Sequence, residues 1–253
     1  MKKLNLRDIK KAKGKNLQVL TCYDFQTACM LNETTLDMIL VGDSLGNVML
    51  GHETTVEVTL TEMEVFAKAV RRGAPDKFMI VDLPFGSYSS VAQGIFSATK
   101  LFQASKAEAV KLEGAFPYQL KLIERLTQTG IPVMGHIGLT PQSVHQLGGY
   151  FLHGKTEDDA TRLLREAKSL QDAGCFSIVL EMVESSVTER ITRELSIPTI
   201  GIGSGKHTDG QVLVINDLLK LGPLKPPSFC VPIADLFQVK KELINRYLHD
   251  QRK

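Results

Sequence analysis

The chain has 253 residues, 43% of them hydrophobic, enough to bury one large core. Barrels of the α/β class run at about 250 residues as one domain, so a single domain over 1–253 is expected. A formal net charge of only +2 argues against nucleic acid or another strongly charged partner. No apolar run approaches the roughly 18 residues of a membrane span, and none follows the N-terminal basic residues as a secretory signal would require. The cysteines Cys22, Cys29, Cys175 and Cys230 form no Cys-x-x-Cys pair and read as reduced, mostly buried thiols of a cytoplasmic protein.

The chain opens with Lys2, Lys3, Arg7, Lys10, Lys11, Lys13 and Lys15, read as a solvated arm, with an anion-attracting patch as the alternative. Strand candidates follow at Gln18–Asp24 and Asp37–Asp43. Thr59-x-x-Glu62 forms a capping box ahead of Val65, Phe66, Ala69 and Val70. Further strands are expected at Phe78–Pro84 and Ala109–Gly114, and Pro117 opens a helix that Gly130 closes. After the strand Pro132–Gly138, Thr156 precedes Ala160, Leu163, Leu164, Ala167 and Leu170, a helical apolar stripe ended by Gly174. Strands at Ser177–Met182, Pro198–Gly203 and Gln211–Ile215 complete the set, and a last helix covers about 234–248. Continuous Val- and Ile-rich runs suit strands buried on both faces of a parallel sheet. Eight of them alternating with helices point to a closed (β/α)8 TIM barrel, with an open doubly wound sheet as the alternative.

Acids gather at the ends of these strands. Asp24 ends the first and Asp43 the second; Asp82, Glu113 and Glu181 lie at the third, fourth and sixth, and His136 near the end of the fifth. Lys111, two residues before Glu113, shares its face of the strand. In a barrel these ends meet on one rim, where active sites are built. Unpaired buried acids there would be costly, and a divalent cation relieves that cost. Carboxylates without soft ligands favour a hard ion such as Mg²⁺. A single strand-end Asp is also a common N-cap, the competing reading for Asp24. Gly201-Ile-Gly-Ser-Gly205 fails the dinucleotide fingerprint because Lys206 stands at its third glycine. A tight turn with close backbone approach and a phosphate loop both remain open for it.

These residues sit in segments that resemble the ketopantoate hydroxymethyltransferase family: Leu20-Thr-Cys-Tyr-Asp24, Leu40-Val-Gly-Asp-Ser-Leu-Gly46, Ala69-Val-Arg-Arg-Gly-Ala74, Asp82-Leu-Pro-Phe85, Val110-Lys-Leu-Glu-Gly114, Gly135-His-Ile-Gly-Leu-Thr-Pro-Gln-Ser143, Gly148-Gly-Tyr150, Leu180-Glu181, and Gly201–Gly205 with Thr208-Asp-Gly-Gln211. They follow the family order over nearly the whole chain. The resemblance implies a barrel of the phosphoenolpyruvate/pyruvate type, Mg²⁺, and hydroxymethyl transfer from 5,10-methylenetetrahydrofolate to 3-methyl-2-oxobutanoate through a Mg-stabilised enolate. The product would be 2-dehydropantoate, on the way to pantothenate. It further implies a homo-oligomer, such as a decameric ring.

For the site, the resemblance implies that Asp43 and Asp82 bind metal and oxo acid, and that Ser44 and Lys111 bind the oxo acid. Glu113 then belongs to the metal site and Glu181 is the proton acceptor. His136 is a candidate auxiliary group for the later proton transfers. Departures from the family pattern stand at Val65-Phe66-Ala67 for Tyr-His-Thr, Ser105-Lys-Ala107 for Ala-Gly-Ala, Asn216 for His, Lys220 for Gly, and Pro226-Pro-Ser-Phe229 for Pro-Lys-Phe. None removes an expected ligand or base. The rival readings are another Mg²⁺-dependent 2-oxo-acid lyase or mutase barrel, and a non-catalytic barrel scaffold.

Overall fold

Eight parallel strands close into a barrel in chain order in the computed structural model, which describes residues 3–252. The strands are β1 (Leu17–Thr21), β2 (Met38–Val41), β3 (Phe78–Asp82), β4 (Ala109–Lys111), β5 (Val133–Gly138), β6 (Ser177–Glu181), β7 (Thr199–Ile202) and β8 (Gly210–Leu213). The helices are α1 (Leu6–Lys10), α2 (Phe25–Asn32), α3 (Leu60–Gly73), α4 (Val91–Ser105), α5 (Pro117–Gln128), α6 (Val144–Leu147), α7 (Glu157–Asp172), α8 (Ser185–Glu194), α9 (Ile215–Leu218) and α10 (Leu236–Asp250). Every expected strand is present, but most stop earlier than expected. Asp43 and Glu113 lie two residues past β2 and β4, and their backbone N–H groups donate to the Asp82 carboxylate and the Tyr88 hydroxyl. Ile215, expected to end the last strand, begins α9 instead.

Apolar side chains from alternate positions fill the barrel, among them Val19, Met38, Leu40, Phe78, Ile80, Met134, Phe176, Val179, Ile200 and Val212. Phe78 and Phe176 meet edge to face with ring centroids 5.9 Å apart. The N-terminal basic segment is not the solvated arm its charge suggests. Asn5 caps α1 in a capping box with Asp8, and Ile9 and Ala12 join the barrel core. Lys13 pairs with buried Asp209 at 2.8 Å, and Asp209 also accepts from the backbone N–H groups of Gly14 and Thr199. Charge density hid this because the apolar residues that dock the segment are few and short. Lys2 lies outside the described residues.

The helix signals act as expected. Thr59 and Glu62 form their capping box on α3, Pro117 opens α5, and Thr156 caps α7 through the Asp159 N–H. All four cysteines are free, and burial pushes the thiols of Cys22 and Cys175 up to about 12.

Two departures from the family pattern have a backbone consequence. Lys106, at the C-cap of α4, has φ +53°, and Lys220 has φ +48°. Both stand where the family usually has glycine. A left-handed backbone costs an L-residue roughly 1–2 kcal/mol, and the extra entropy glycine loses on folding offsets about 0.5–1 of that. Lys106→Gly is therefore expected to stabilise the protein by about 0.5–1 kcal/mol and to raise Tm by a few degrees. A calorimetric scan showing no rise would mean the strain is relieved by contacts of the lysine side chain.

The chain packs as two compact units, the first running to Val212 and the second from Leu213 onward. In the second, Asp235 caps α10 through the Gln238 N–H and pairs with Lys220. No described residue of α10 is buried, and Val239, Leu243, Ile244, Tyr247 and Leu248 stand exposed. Among the described residues, no helix is long and apolar enough to cross a membrane.

Candidate active site

The parallel register carries the expected residues to one rim. Asp82 pairs in register with Lys111, His136 with Val179, and Glu181 with Gly138 and Ile202. Lys111 Nζ lies 2.9 Å from Asp82 Oδ1, and both side chains are almost wholly buried. Asp82 Oδ2 accepts the Asp43 backbone N–H at 3.0 Å. His136 stands between the two halves of the cluster, with Nδ1 3.4 Å from Glu113 Oε1 and Nε2 3.3 Å from Glu181 Oε2. Ser44 shares a 2.7 Å hydrogen bond with the Tyr23 hydroxyl. Six of the eight residues marked out in the sequence, Asp43, Asp82, Lys111, Glu113, His136 and Glu181, thus form one connected cluster, with Ser44 beside Asp43. Asp24 is not among them: its carboxylate accepts from the N–H and hydroxyl of Thr27 and caps α2.

Burial sets the electrostatics. It pushes the Asp43 carboxyl well above the usual carboxylate range, and the charges of Asp82 and Glu113 push it the same way. Burial also raises Asp82, against the pull of Lys111. For Lys111 burial opposes the charge, but Asp82, Glu113 and Asp43 outweigh it and keep the ammonium protonated. At His136 burial and the Lys111 charge act downward, yet Glu113 and Glu181 prevail and raise the imidazole to about 9. Lys111 Nζ also stands 3.3 Å from His136 Nδ1.

Several supporting residues were not marked out in the sequence. Gln142 donates through Nε2 to Asp43 Oδ2 at 2.7 Å and to the Leu83 carbonyl at 3.0 Å, and its backbone N–H donates to Glu113 Oε2 at 3.1 Å. The Tyr88 hydroxyl donates to Gln142 Oε1 at 2.5 Å. Gln142 belongs to the segment Gly135–Ser143, so a signal existed; Tyr88 lay in no segment that drew attention. At the other side of the rim, a Cβ on Gly138 would sit 2.2 Å from the Glu181 carbonyl, and φ there is +93°. Met182, next to Glu181, holds φ +49°, a conformation a bulky residue rarely adopts away from functional sites. Ser204 braces this strand end: its hydroxyl donates to the Leu180 carbonyl at 2.7 Å and accepts the Val183 N–H at 3.0 Å. In the glycine-rich turn, Cβ atoms on Gly201 and Gly205 would collide with Thr208 and Ser185, which fits the close-approach reading.

The residues suit a hard divalent cation. Asp82 Oδ1 and Glu113 Oε1 are buried and make no hydrogen bond of good geometry, with Lys111 Nζ 2.9 Å from the first and His136 Nδ1 3.4 Å from the second. Among the described residues no three His, Cys, Asp or Glu side chains converge tightly enough to enclose an ion unaided. Mg²⁺ does not ask for that: it commonly takes one or two carboxylates and fills its octahedron with water and substrate oxygens.

Comparison with known proteins bears on this arrangement. The family model described as ketopantoate hydroxymethyltransferase matches residues 3–253. A protein of Leptospira interrogans serogroup Icterohaemorrhagiae serovar Lai (strain 56601), named 3-methyl-2-oxobutanoate hydroxymethyltransferase, is 51% identical over 239 residues, 94% of this chain and 90% of that one. One of the same name from Thermotoga maritima is 46% identical over 252 residues, 99% of this chain and 93% of that one. Among solved structures, a phosphoenolpyruvate phosphomutase from Streptomyces platensis subsp. rosaceus superposes with a TM-score of 0.68 at 12% identity, over 98% of this chain and 88% of that one. A 2,3-dimethylmalate lyase, described as a PEP mutase/isocitrate lyase superfamily member, gives a TM-score of 0.59 at 14% identity, over 82% and 80%. At such low identity the two structures speak for the barrel type alone, whereas the sequence matches run through every strand end of the rim, and on their strength the chain belongs to the ketopantoate hydroxymethyltransferase family.

Proposed function

We propose that this chain transfers a hydroxymethyl group from 5,10-methylenetetrahydrofolate to 3-methyl-2-oxobutanoate, giving 2-dehydropantoate, with Mg²⁺ held by Asp43 and Asp82 and with Glu113 in its surroundings. The observation that carries this reading is the position of His136, which links an acid–lysine cluster on one side of the rim to a single carboxylate, Glu181, on the other. When bound, Mg²⁺ supplies a Lewis acid for the keto and carboxylate oxygens of the substrate and for the negative charge that grows there. Lys111 adds a fixed positive charge that is already oriented by Asp82, so no reorganisation is needed as the enolate forms. Ser44, held by Tyr23, orients the substrate carboxylate.

Glu181 is the partly open member of the cluster, with 16% of its side chain exposed, and it accepts the C3 proton. His136 Nε2 stands 3.3 Å from the Glu181 carboxylate and keeps it beside the acid–lysine cluster. The C3 carbanion then bonds to the methylene carbon as that carbon's bond to folate N10 breaks and N10 takes a proton. Water next replaces N5 on the same carbon, its proton passing to the departing nitrogen, which leaves the hydroxymethyl group on C3 and releases tetrahydrofolate.

The family membership supports the transferase reading, and the exposed apolar side chains of α10 support a homo-oligomer. Free cysteines throughout agree with a cytoplasmic setting. The test is formation of 2-dehydropantoate from the oxo acid and methylenetetrahydrofolate. Product is expected with Mg²⁺ and none after chelation by EDTA. Folate-independent cleavage of a 2-oxo diacid would favour the lyase alternative, and no Mg²⁺-dependent exchange at C3 would favour a scaffold.

A further inference from the structure

We infer that Gln142 is a positioning residue that presets the cation site by holding Asp43 and Glu113 at once. This rests on the cation reading above. Gln142 sits in the turn after β5, far in sequence from Asp43, and is buried. Its side-chain N–H groups go to Asp43 Oδ2 and the Leu83 carbonyl, and its backbone N–H goes to Glu113 Oε2. One residue therefore engages one oxygen of each carboxylate. On Glu113 the other oxygen, Oε1, is buried and makes no hydrogen bond of good geometry, with His136 Nδ1 3.4 Å away.

An amide could do this with either end toward Asp43, and only one end helps. Oxygen facing a carboxylate would repel it; N–H attracts it. Tyr88 decides the orientation. Its buried hydroxyl donates to Gln142 Oε1 at 2.5 Å while accepting the Glu113 N–H, so the amide oxygen is drawn toward Tyr88 and the N–H groups toward Asp43. The Leu83 carbonyl, which can only accept, enforces the same orientation. Three independent partners agree on one rotamer of one side chain. Residues that orient metal ligands in this way commonly contribute about 10–100-fold to metal affinity.

The test uses the full-length protein with 3-methyl-2-oxobutanoate present, Mn²⁺ binding followed by electron paramagnetic resonance, and Mg²⁺ as competitor. Gln142→Leu is expected to weaken Mn²⁺ and Mg²⁺ binding by about 10–100-fold. Turnover should recover substantially at saturating Mg²⁺, so the loss lies in cation activation more than in kcat. Tyr88→Phe, a milder change that keeps the ring, is expected to weaken binding several-fold in the same sense. Unchanged cation affinity in either folded variant would overturn the proposal, as would a kcat loss that Mg²⁺ does not relieve. A wild-type chain that takes up no Mn²⁺ would overturn the cation reading itself, and with it the role of Gln142. Wild-type uptake with an unaltered Gln142→Leu constant would overturn Gln142 alone.

Discussion

Glu181→Gln is expected to slow exchange of the C3 hydrogen of 3-methyl-2-oxobutanoate with deuterated solvent by about 10²–10⁴-fold, the usual contribution of a positioned general base. The amide keeps the size of the carboxylate but cannot take the proton. Binding should change little. Asp82 pairs with Lys111 and accepts the Asp43 N–H, Asp43 also takes the Gln142 amide, and Glu181 approaches the cluster at His136 Nε2. Calorimetry of oxo-acid binding with Mg²⁺, and exchange followed by NMR, separate the two roles on one variant. Exchange at the wild-type rate would hand the proton to another group. Loss of Mg²⁺-dependent binding would instead move Glu181 into the cation's own shell.

Asp43→Asn and Asp82→Asn should both cost Mg²⁺-dependent turnover about 10²–10³-fold or more, yet shift stability in opposite directions when measured in EDTA. Asp82 is the closest anion to buried Lys111. Breaking a buried pair from one side costs about 3–5 kcal/mol, and Glu113 and Asp43 remain to soften the loss, so about 3 kcal/mol is expected. Asp43 has no cation of its own. Burial and two neighbouring acids raise its pKa, so the folded state binds its proton more tightly than the unfolded state does. That makes folding less favourable as pH rises above the ordinary carboxylate range. Asp43→Asn removes this cost and should hold or raise Tm, with a larger gain at pH 8 than at pH 4. A Tm loss in Asp43→Asn matching that of Asp82→Asn would show that both carboxylates serve the same structural pair.

Much of the site was legible because barrel topology converts strand order into neighbourhood. Asp82, Lys111, Glu113, His136 and Glu181 each lie at or near the end of a strand, and parallel pairing leaves such residues no other place than one rim. Asp24 shows the limit of that rule. Its spacing from the first strand resembles that of Asp43 from the second, and only the Thr27 contacts, formed once α2 turns, mark it as a cap.

Hydrophobic pattern and caps, both local properties, sufficed by themselves for eight strands, their alternation with helices, and the starts of α3, α5 and α7. The quoted segments sufficed for the family. What tertiary structure decided was pairing across long stretches of chain. The docking of the basic N-terminus through Ile9, Ala12 and the Lys13–Asp209 pair depends on partners nearly 200 residues away. The same holds for the orientation of the Gln142 amide between Tyr88, Leu83 and Asp43, and for the raised pKa of His136, which two carboxylates from separate strands push up against burial. A residue's periodicity reports which way it faces, but hydrogen bonds and pKa shifts depend on which groups meet it there, and in this barrel those groups come from different strands and turns.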